Sequence, residues 1–471
     1  MKIKLLTITI LLVSNLLNAQ MPKIEWARVI GGTGNERANS IETDAEGNII
    51  LAGRFQSSSI VSGNLTLKKN ASDNENIADI FIIKLDKNGK EIWAVTAGNS
   101  GDDHAIDCIA DAAGNVYAVG WFESETISFG DVSLRNNNFT FGKDSVRYNC
   151  DMWVAKFSPA GKCIWARNAG GLDGNGQYST IALDKDNNVV IGGIAGARMD
   201  FGNGVILSNE KGGMFVAKYS GEGRLLWAKG SANGECHGIG VDEKNNIYAG
   251  GYFSNQTSFD GITLSSNGKT DAYIVKYSPE GKAVWAKSFG GEGGEIASCE
   301  TDPFGNVYLA GLYFSKSITS GNSTLTNNGS INAFIAKFDQ DGNLLWANSA
   351  GGNNGDGPAT ATREFHLDKK GNAYCTGSNW SAFSFAGNQI KTVSGSEDIL
   401  LLKYDKEGKE IWGLDYGGSG RNAGRGVTTD GNGHILLTGS FDEKELKIED
   451  QVLTNKGSSD IFLVKFSEMK K

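Results

Sequence analysis

A closed ring of antiparallel β-blades is the fold class this sequence predicts, and three observations predict it. The first is a repeated two-strand unit, clearest at residues 271–291, DAYIVKYSPEGKAVWAKSFGG. Asp271 to Tyr277 is dense in β-branched and aromatic residues, and Ala283 to Phe289 returns with Trp285 at its centre. Between them Ser278-Pro279-Glu280-Gly281 supplies a turn, in which Pro presets φ and Gly tolerates positive φ. The second observation is register. Lys84, Lys156, Lys218, Lys276, Lys337 and Lys403 are each followed nine residues later by Trp93, Trp165, Trp227, Trp285, Trp346 and Trp412. The third is what remains: Trp26 has no Lys-strand before it, and Lys465 has no Trp-strand after it. Joined, the two ends make a seventh unit. The expected architecture is therefore all-β: a seven-bladed β-propeller of four-stranded antiparallel blades, closed by pairing the C-terminal strand with the N-terminal strand. An open solenoid would need polar capping repeats at its ends, and none is visible.

A second hairpin precedes the first in every unit, as in ANSIETDAEGNIILAGRF (38–55) and GVTTDGNGHILLTGSF (426–441). It supplies strands A and B; the Lys/Trp hairpin supplies C and D. Successive repeat tryptophans lie 67, 72, 62, 58, 61 and 66 residues apart, room for four strands and an insertion between B and C. The insertions share a short pattern, FGDVSLRNN (129–137), FGNGVILSN (201–209) and FDGITLSSN (259–267), read as a further short hairpin or extended segment. On these strands the units resemble the bacterial SBBP-type beta-propeller repeat family, with its GNVYVAG-like strand and its D-a-f-v-x-K strand, over roughly residues 24–467. The resemblance implies a secreted propeller and no single activity.

Residues 1–19 read as a secretory signal peptide, with Lys2 and Lys4, an apolar run from Leu5 to Val13, and Leu17-Asn18-Ala19 before the cut. That run is too short to span a membrane, and no later stretch is apolar enough. Residues 20–471 form one propeller domain, expected as a monomer that is periplasmic, cell-surface or secreted. Removing the two lysines takes the formal charge from −9 to −11, which argues against nucleic-acid binding. Cys108, Cys150, Cys163, Cys236, Cys299 and Cys375 are scattered, with no C-x-x-C motif and no readable disulfide framework.

Loop length selects a face. A–B and C–D turns emerge on one side and are short and uniform; D–A and B–C segments emerge on the other and are long and irregular. Function concentrates on variable loops held by a rigid scaffold, so the candidate site lies on the D–A/B–C side near the axis. Acidic residues recur there: Glu36, Asp102, Asp103, Glu235, Glu295 and Asp356. His104 and His237 fall where a D–A loop enters strand A, and Trp121 and Trp380 lie at the end of strand B. Carboxylates of this kind suit a polar ligand or Ca²⁺, and exposed rings suit a sugar or a partner. Solvation of Gly-rich crossovers and blade packing explain the same residues without a ligand. The Asp-rich turns 184–188 and 339–343 lack the sixth-position Gly and distal Glu of an EF-hand, and no cofactor is required.

The functional expectation is a non-catalytic binding or scaffolding propeller that presents one face to a glycan or to an envelope or extracellular protein. The alternative is a polysaccharide-acting enzyme, a hydrolase or lyase, with carboxylates near the axis. A structural ring with no small ligand is the third reading. A deep cluster among Asp102, Asp103, Glu235, Glu295 and Asp356 with one raised pKa would favour the enzyme.

Overall fold

The computed structural model describes residues 21–70, 76–137, 150–171, 178–209, 212–320, 323–327, 329–351, 364–391 and 397–468. The expected leader, 1–19, and Asp356 lie outside them. The described residues form strands and turns, with no helix, and so none long and apolar enough to cross a membrane.

Seven four-stranded antiparallel sheets make the ring. Blade 1 runs Glu36–Thr43, Ile49–Phe55, Asp79–Leu85 and Glu91–Ala97, strands A to D from the axis outward. Blades 2 to 6 repeat the plan, with A strands at Asp103–Ala110, Thr180–Leu183, Gly234–Val241, Glu295–Thr301 and Glu364–Leu367. Blade 7 takes Asn422–Thr429, Ile435–Phe441 and Asp460–Ser467 as A, B and C, and Lys23–Ile30 as D. Its antiparallel register sets Trp26 opposite Lys465 and Ile30 opposite Ile461. The expected closure is thus present, and it removes the one pair of edges an open ring would leave.

The core is a set of slabs between blades rather than one centre. In the first slab Ile50 and Ile82 of blade 1 meet Ala118 and Trp153 of blade 2, all fully buried. Each repeat Lys lies directly opposite its Trp, as Lys218 does Trp227. Four of them also reach a buried Asp of their own blade's A–B turn: Lys84 to Asp44 at 2.8 Å, Lys218 to Asp184 at 2.9 Å, Lys337 to Asp302 at 3.1 Å and Lys465 to Asp430 at 3.2 Å, whereas Lys403 pairs with Glu468 at 2.6 Å. The same Asp organises the turn: Asp184 Oδ1 accepts from the backbone N–H of Asp186 and Asn188. These aspartates are occupied by turn donors and lysines. Turn glycines meet the neighbouring blade: Gly281 has φ +81°, and a Cβ there would lie 2.7 Å from the Trp227 ring.

Every B–C segment holds a two-stranded hairpin, for example Thr126–Phe129 with Val132–Arg135. It packs against the D strand of its own blade and that of the preceding blade. The sheets splay apart at the rim, and the hairpins fill that wedge. The B–C insertions therefore sit peripherally, and the mouth of the axis belongs to the A strands, the ends of the B strands and the D–A loops.

Candidate functional site

The seven A strands pack side by side around the axis and leave a cavity of about 850 Å³, walled by residues from every blade. Register decides which side chains reach its loop-side mouth. Arg37 lies opposite Arg54 in blade 1, His104 opposite Trp121 in blade 2, and Glu235 opposite Tyr252 in blade 4. One step further in, the A strands of blades 1, 2, 4 and 7 each carry an irregularity that leaves one residue unpaired: Asn39, Ile106, His237 and Arg425. A bulge re-aims the extra side chain, and all four line the cavity.

Two blades build the same small device at the mouth. His104 Nε2 lies 3.0 Å from Asp102 Oδ2, and His237 Nε2 lies 2.9 Å from Glu235 Oε2. Burial lowers the His104 pKa against the pull of Asp102. Burial alone would raise Asp102, but His104, the Ala78 N–H and Arg54 hold it below the usual carboxylate range. Rings surround both histidines: Trp121 is 4.0 Å from His104 between centroids, and Tyr178 and Tyr252 are 5.0 and 5.3 Å from His237.

Three guanidiniums share the mouth. Burial, reinforced by the charges of Arg425 and Arg54, lowers the pKa of Arg37 to about 9. Arg54 and Arg425 are lowered too, by burial first. Deeper, toward the A–B turns, Glu42, Asp107, Glu300 and His366 line the same cavity. Burial raises Glu42 to about 7 and raises Asp107 and Glu300 as well, and the Asp107 charge reinforces the shift on the two glutamates. Burial holds His366 down to about 4, so it is neutral near pH 7. Guanidiniums thus stand at the loop side beside Asp102, and acids whose pKa burial raises lie beneath.

The residues expected from the sequence divide. Asp102, His104, Trp121 and His237 wall the cavity. Glu235 stands behind His237 as its hydrogen-bond partner. Asp103 and Glu295 are fully buried and stand apart from the cavity, because they begin strand A and hold the B–C segment: Asp103 accepts from Ser124 Oγ at 2.6 Å, and Glu295 accepts from Ser315 Oγ. Trp380 is 44% exposed just past strand B of blade 6, away from the cavity. Of the five carboxylates of the expected cluster, the four among the described residues, Asp102, Asp103, Glu235 and Glu295, therefore do not gather in one pocket. Arg37, Arg54, Arg425, Glu42, Asp107, Glu300 and His366 are the additions. A trace of Arg54 is visible in the sequence: the sixth residue of strand B is Arg54, Trp121, Ile194, Tyr252 and Leu312 in the first five blades, and only blade 1 places a charge there. Among the described residues, no group of three or more His, Cys, Asp or Glu is arranged to hold a metal ion.

The chain is a seven-bladed β-propeller. No family model matches it. The uncharacterized WD repeat-containing protein L264 of Acanthamoeba polyphaga mimivirus is 22% identical, over 94% of this chain. The chain spans 38% of the length of that protein. Among solved structures, Sqt1 from Chaetomium thermophilum aligns with 96% of this chain and 100% of its own at 9% identity and a TM-score of 0.45. The Dos1 propeller aligns with 94% and 95% at 8% identity and a TM-score of 0.42. The ring expected from the repeat resemblance is present; the finer assignment to one bacterial repeat family rests on the strand motifs.

Proposed function

We propose that the chain is an exported, non-catalytic binding propeller that takes a glycan chain at the loop-side mouth of its axis. The observation that carries the reading is the cavity of about 850 Å³ walled by all seven blades. That is the size of site that holds small molecules and short stretches of polymer. Rings with polar partners frame it: exposed Tyr178 beside His237, and Trp121, largely buried at the cavity wall, beside His104. Such rings suit a sugar, which has an apolar face and a hydroxyl rim. A protein partner would call for a contiguous apolar patch. The exposed aliphatics Ile92, Ile164, Leu226, Val284 and Leu345 instead stand singly on the outer D strands of blades 1 to 5. Export rests on the leader-like residues 1–19.

A second reading, a polysaccharide-acting enzyme, has one observation in its favour: Glu42 and Asp107 line the same cavity, and burial raises both. Affinity electrophoresis of the full chain through gels carrying bacterial and dietary polysaccharides tests both readings. Retardation by a polymer recovered at unchanged length is the expected result. Shortening of the polymer would move the assignment to hydrolase or lyase chemistry. Absence of retardation by every polymer would overturn the glycan reading in favour of a protein partner.

A further inference from the structure

Resting on that binding reading, we infer that Arg37, Arg54 and Arg425 form a subsite for a carboxylate carried by the ligand, so that the glycan is a uronate-containing polymer. The first ground is like charge placed face to face. Arg37 and Arg54 are directly opposite in the antiparallel register of blade 1, an arrangement that destabilises a sheet. Arg425 brings a third guanidinium from blade 7, aimed inward by the bulge at its position. Its charge and that of Arg54 both act on Arg37.

The second ground is the lack of a direct ion pair. Arg28, Arg135 and Arg198 each hold a carboxylate. Among the described residues, none of Arg37, Arg54 and Arg425 has one within ion-pair distance. Arg425 Nε donates to Ser440 Oγ at 3.1 Å, while Arg37 Nε is buried with no acceptor. Buried donors are ordinarily satisfied. An anion among the three would supply the acceptor and relieve the repulsion.

The third ground is ligand charge and shape, which favour a carboxylate over a phosphate. Asp102, Glu364 and Glu397 line the same cavity. They act on the guanidiniums from longer range: Asp102, with Glu36, on Arg54; Glu364 on Arg37 and Arg425; Glu397 on Arg425. Asp102 is engaged by His104, and Glu397 accepts from Ser378 Oγ at 2.6 Å. These longer-range carboxylates oppose a phosphate dianion more strongly than a single carboxylate. A planar carboxylate fits the guanidinium fork with two parallel hydrogen bonds.

The test is affinity electrophoresis of the full chain in gels containing polygalacturonate, alginate or hyaluronan, carboxyl-reduced polygalacturonate and alginate, dextran, and dextran sulfate. The expected result is retardation by at least one polyuronate and none by the carboxyl-reduced or neutral polymers. Affinity should fall at least about tenfold in each of Arg37→Gln, Arg54→Gln and Arg425→Gln, and less in Arg54→Lys, which keeps the charge and loses the fork. Arg135→Gln, on the peripheral hairpin, should behave as wild type. Thermal melts separate lost recognition from lost folding: the three Gln variants remove repulsion and should melt at or above the wild-type temperature. Equal retardation by native and carboxyl-reduced polymer, or retardation by dextran alone, overturns the carboxylate subsite and leaves the glycan reading standing. Retardation by dextran sulfate alone replaces the carboxylate with a sulfate ester. Wild-type retardation of all three Gln variants overturns the arginine assignment. No retardation by any polymer overturns both.

Discussion

Lys218 and Trp227 donate to one and the same acceptor, the carbonyl oxygen of Pro279 in the next blade's C–D turn, at 3.4 and 3.1 Å. The pattern recurs around the ring: Lys156 and Trp165 share Gly221, Lys276 and Trp285 share Gln340, and Lys337 and Trp346 share Lys406. The nine-residue offset in the sequence is thus a latch between blades, which gives the repeated strand lysines a structural role. Lys218 and Asp184 are both nearly inaccessible. Removing one partner of a buried ion pair leaves the other charged, buried and unpaired, and typically costs about 3–5 kcal/mol. Lys218→Met is expected to lower stability by about 3 kcal/mol, read from the urea midpoint. A loss under about 1 kcal/mol would show that the latch contributes little.

Closure makes a second prediction. Among the described residues, Lys23–Ile30 pairs only with Asp460–Ser467, which in turn pairs with Ile435–Phe441. Deleting residues 460–471 strips the partner from both and exposes the apolar slab of Val427, Leu437 and Phe441. The truncated chain is expected to melt at least about 10 °C lower and to aggregate through the new edges. An unchanged melting temperature would mean that the ring does not depend on joining its ends.

The ring was legible in the sequence because its information is local and repeated. Lys84 and Trp93 sit across one tight turn, so their offset fixes a hairpin, and the unmatched Trp26 and Lys465 fix the closure. The site was legible only in part. His104 and His237 stand out because both follow a Gly-containing crossover into strand A. Arg54 reaches the mouth through cross-strand register with Arg37, and Arg425 through a bulge, and neither relation has a period to read. Asp103 and Glu295 misdirect a sequence reading, because charge suggests exposure whereas these carboxylates are buried to satisfy donors of the B–C segment.

That burial gives a third prediction, which separates structure from recognition. Asp103 accepts from the backbone N–H of Glu123 and Ser124 at 3.1 Å each, from Ser124 Oγ at 2.6 Å and from the Asn99 N–H at 3.2 Å. Asp103→Ala leaves several of these donors without an acceptor, at about 1–3 kcal/mol for each that water cannot reach. Stability is expected to fall by about 2–4 kcal/mol. Retardation of the folded fraction by a bound polysaccharide should stay within twofold of wild type, since Asp103 does not face the cavity. A selective loss of retardation at unchanged stability would return Asp103 to the site.

The acids at the base of the cavity make the fourth prediction. Glu42 Oε1 accepts from the Thr43 N–H at 2.7 Å and from Thr428 Oγ1 of blade 7 at 3.3 Å. Burial, reinforced by Asp107, raises its pKa to about 7 from 4.5. The unfolded chain releases this proton as pH rises through 4.5, and the folded chain only near 7. Within that window the folded state binds more protons, so stability falls as pH rises and levels off above 7. Glu42→Gln stays neutral throughout and removes this contribution. Relative to wild type it should gain stability between pH 4.5 and 8, by at most about 3 kcal/mol and by less where channel water reaches the carboxyl. His366 runs the other way. Its pKa is lowered to about 4 by burial, so its contribution is lost as pH falls from 6.5 toward 4. Because Glu42→Gln leaves His366 in place, the difference between variant and wild type isolates Glu42. Denaturation midpoints of the two proteins at pH 5 and pH 8 give that difference directly. The same difference at both values would mean that Glu42 ionises as it does in water, and the polarity of the cavity would then run from cations to anions.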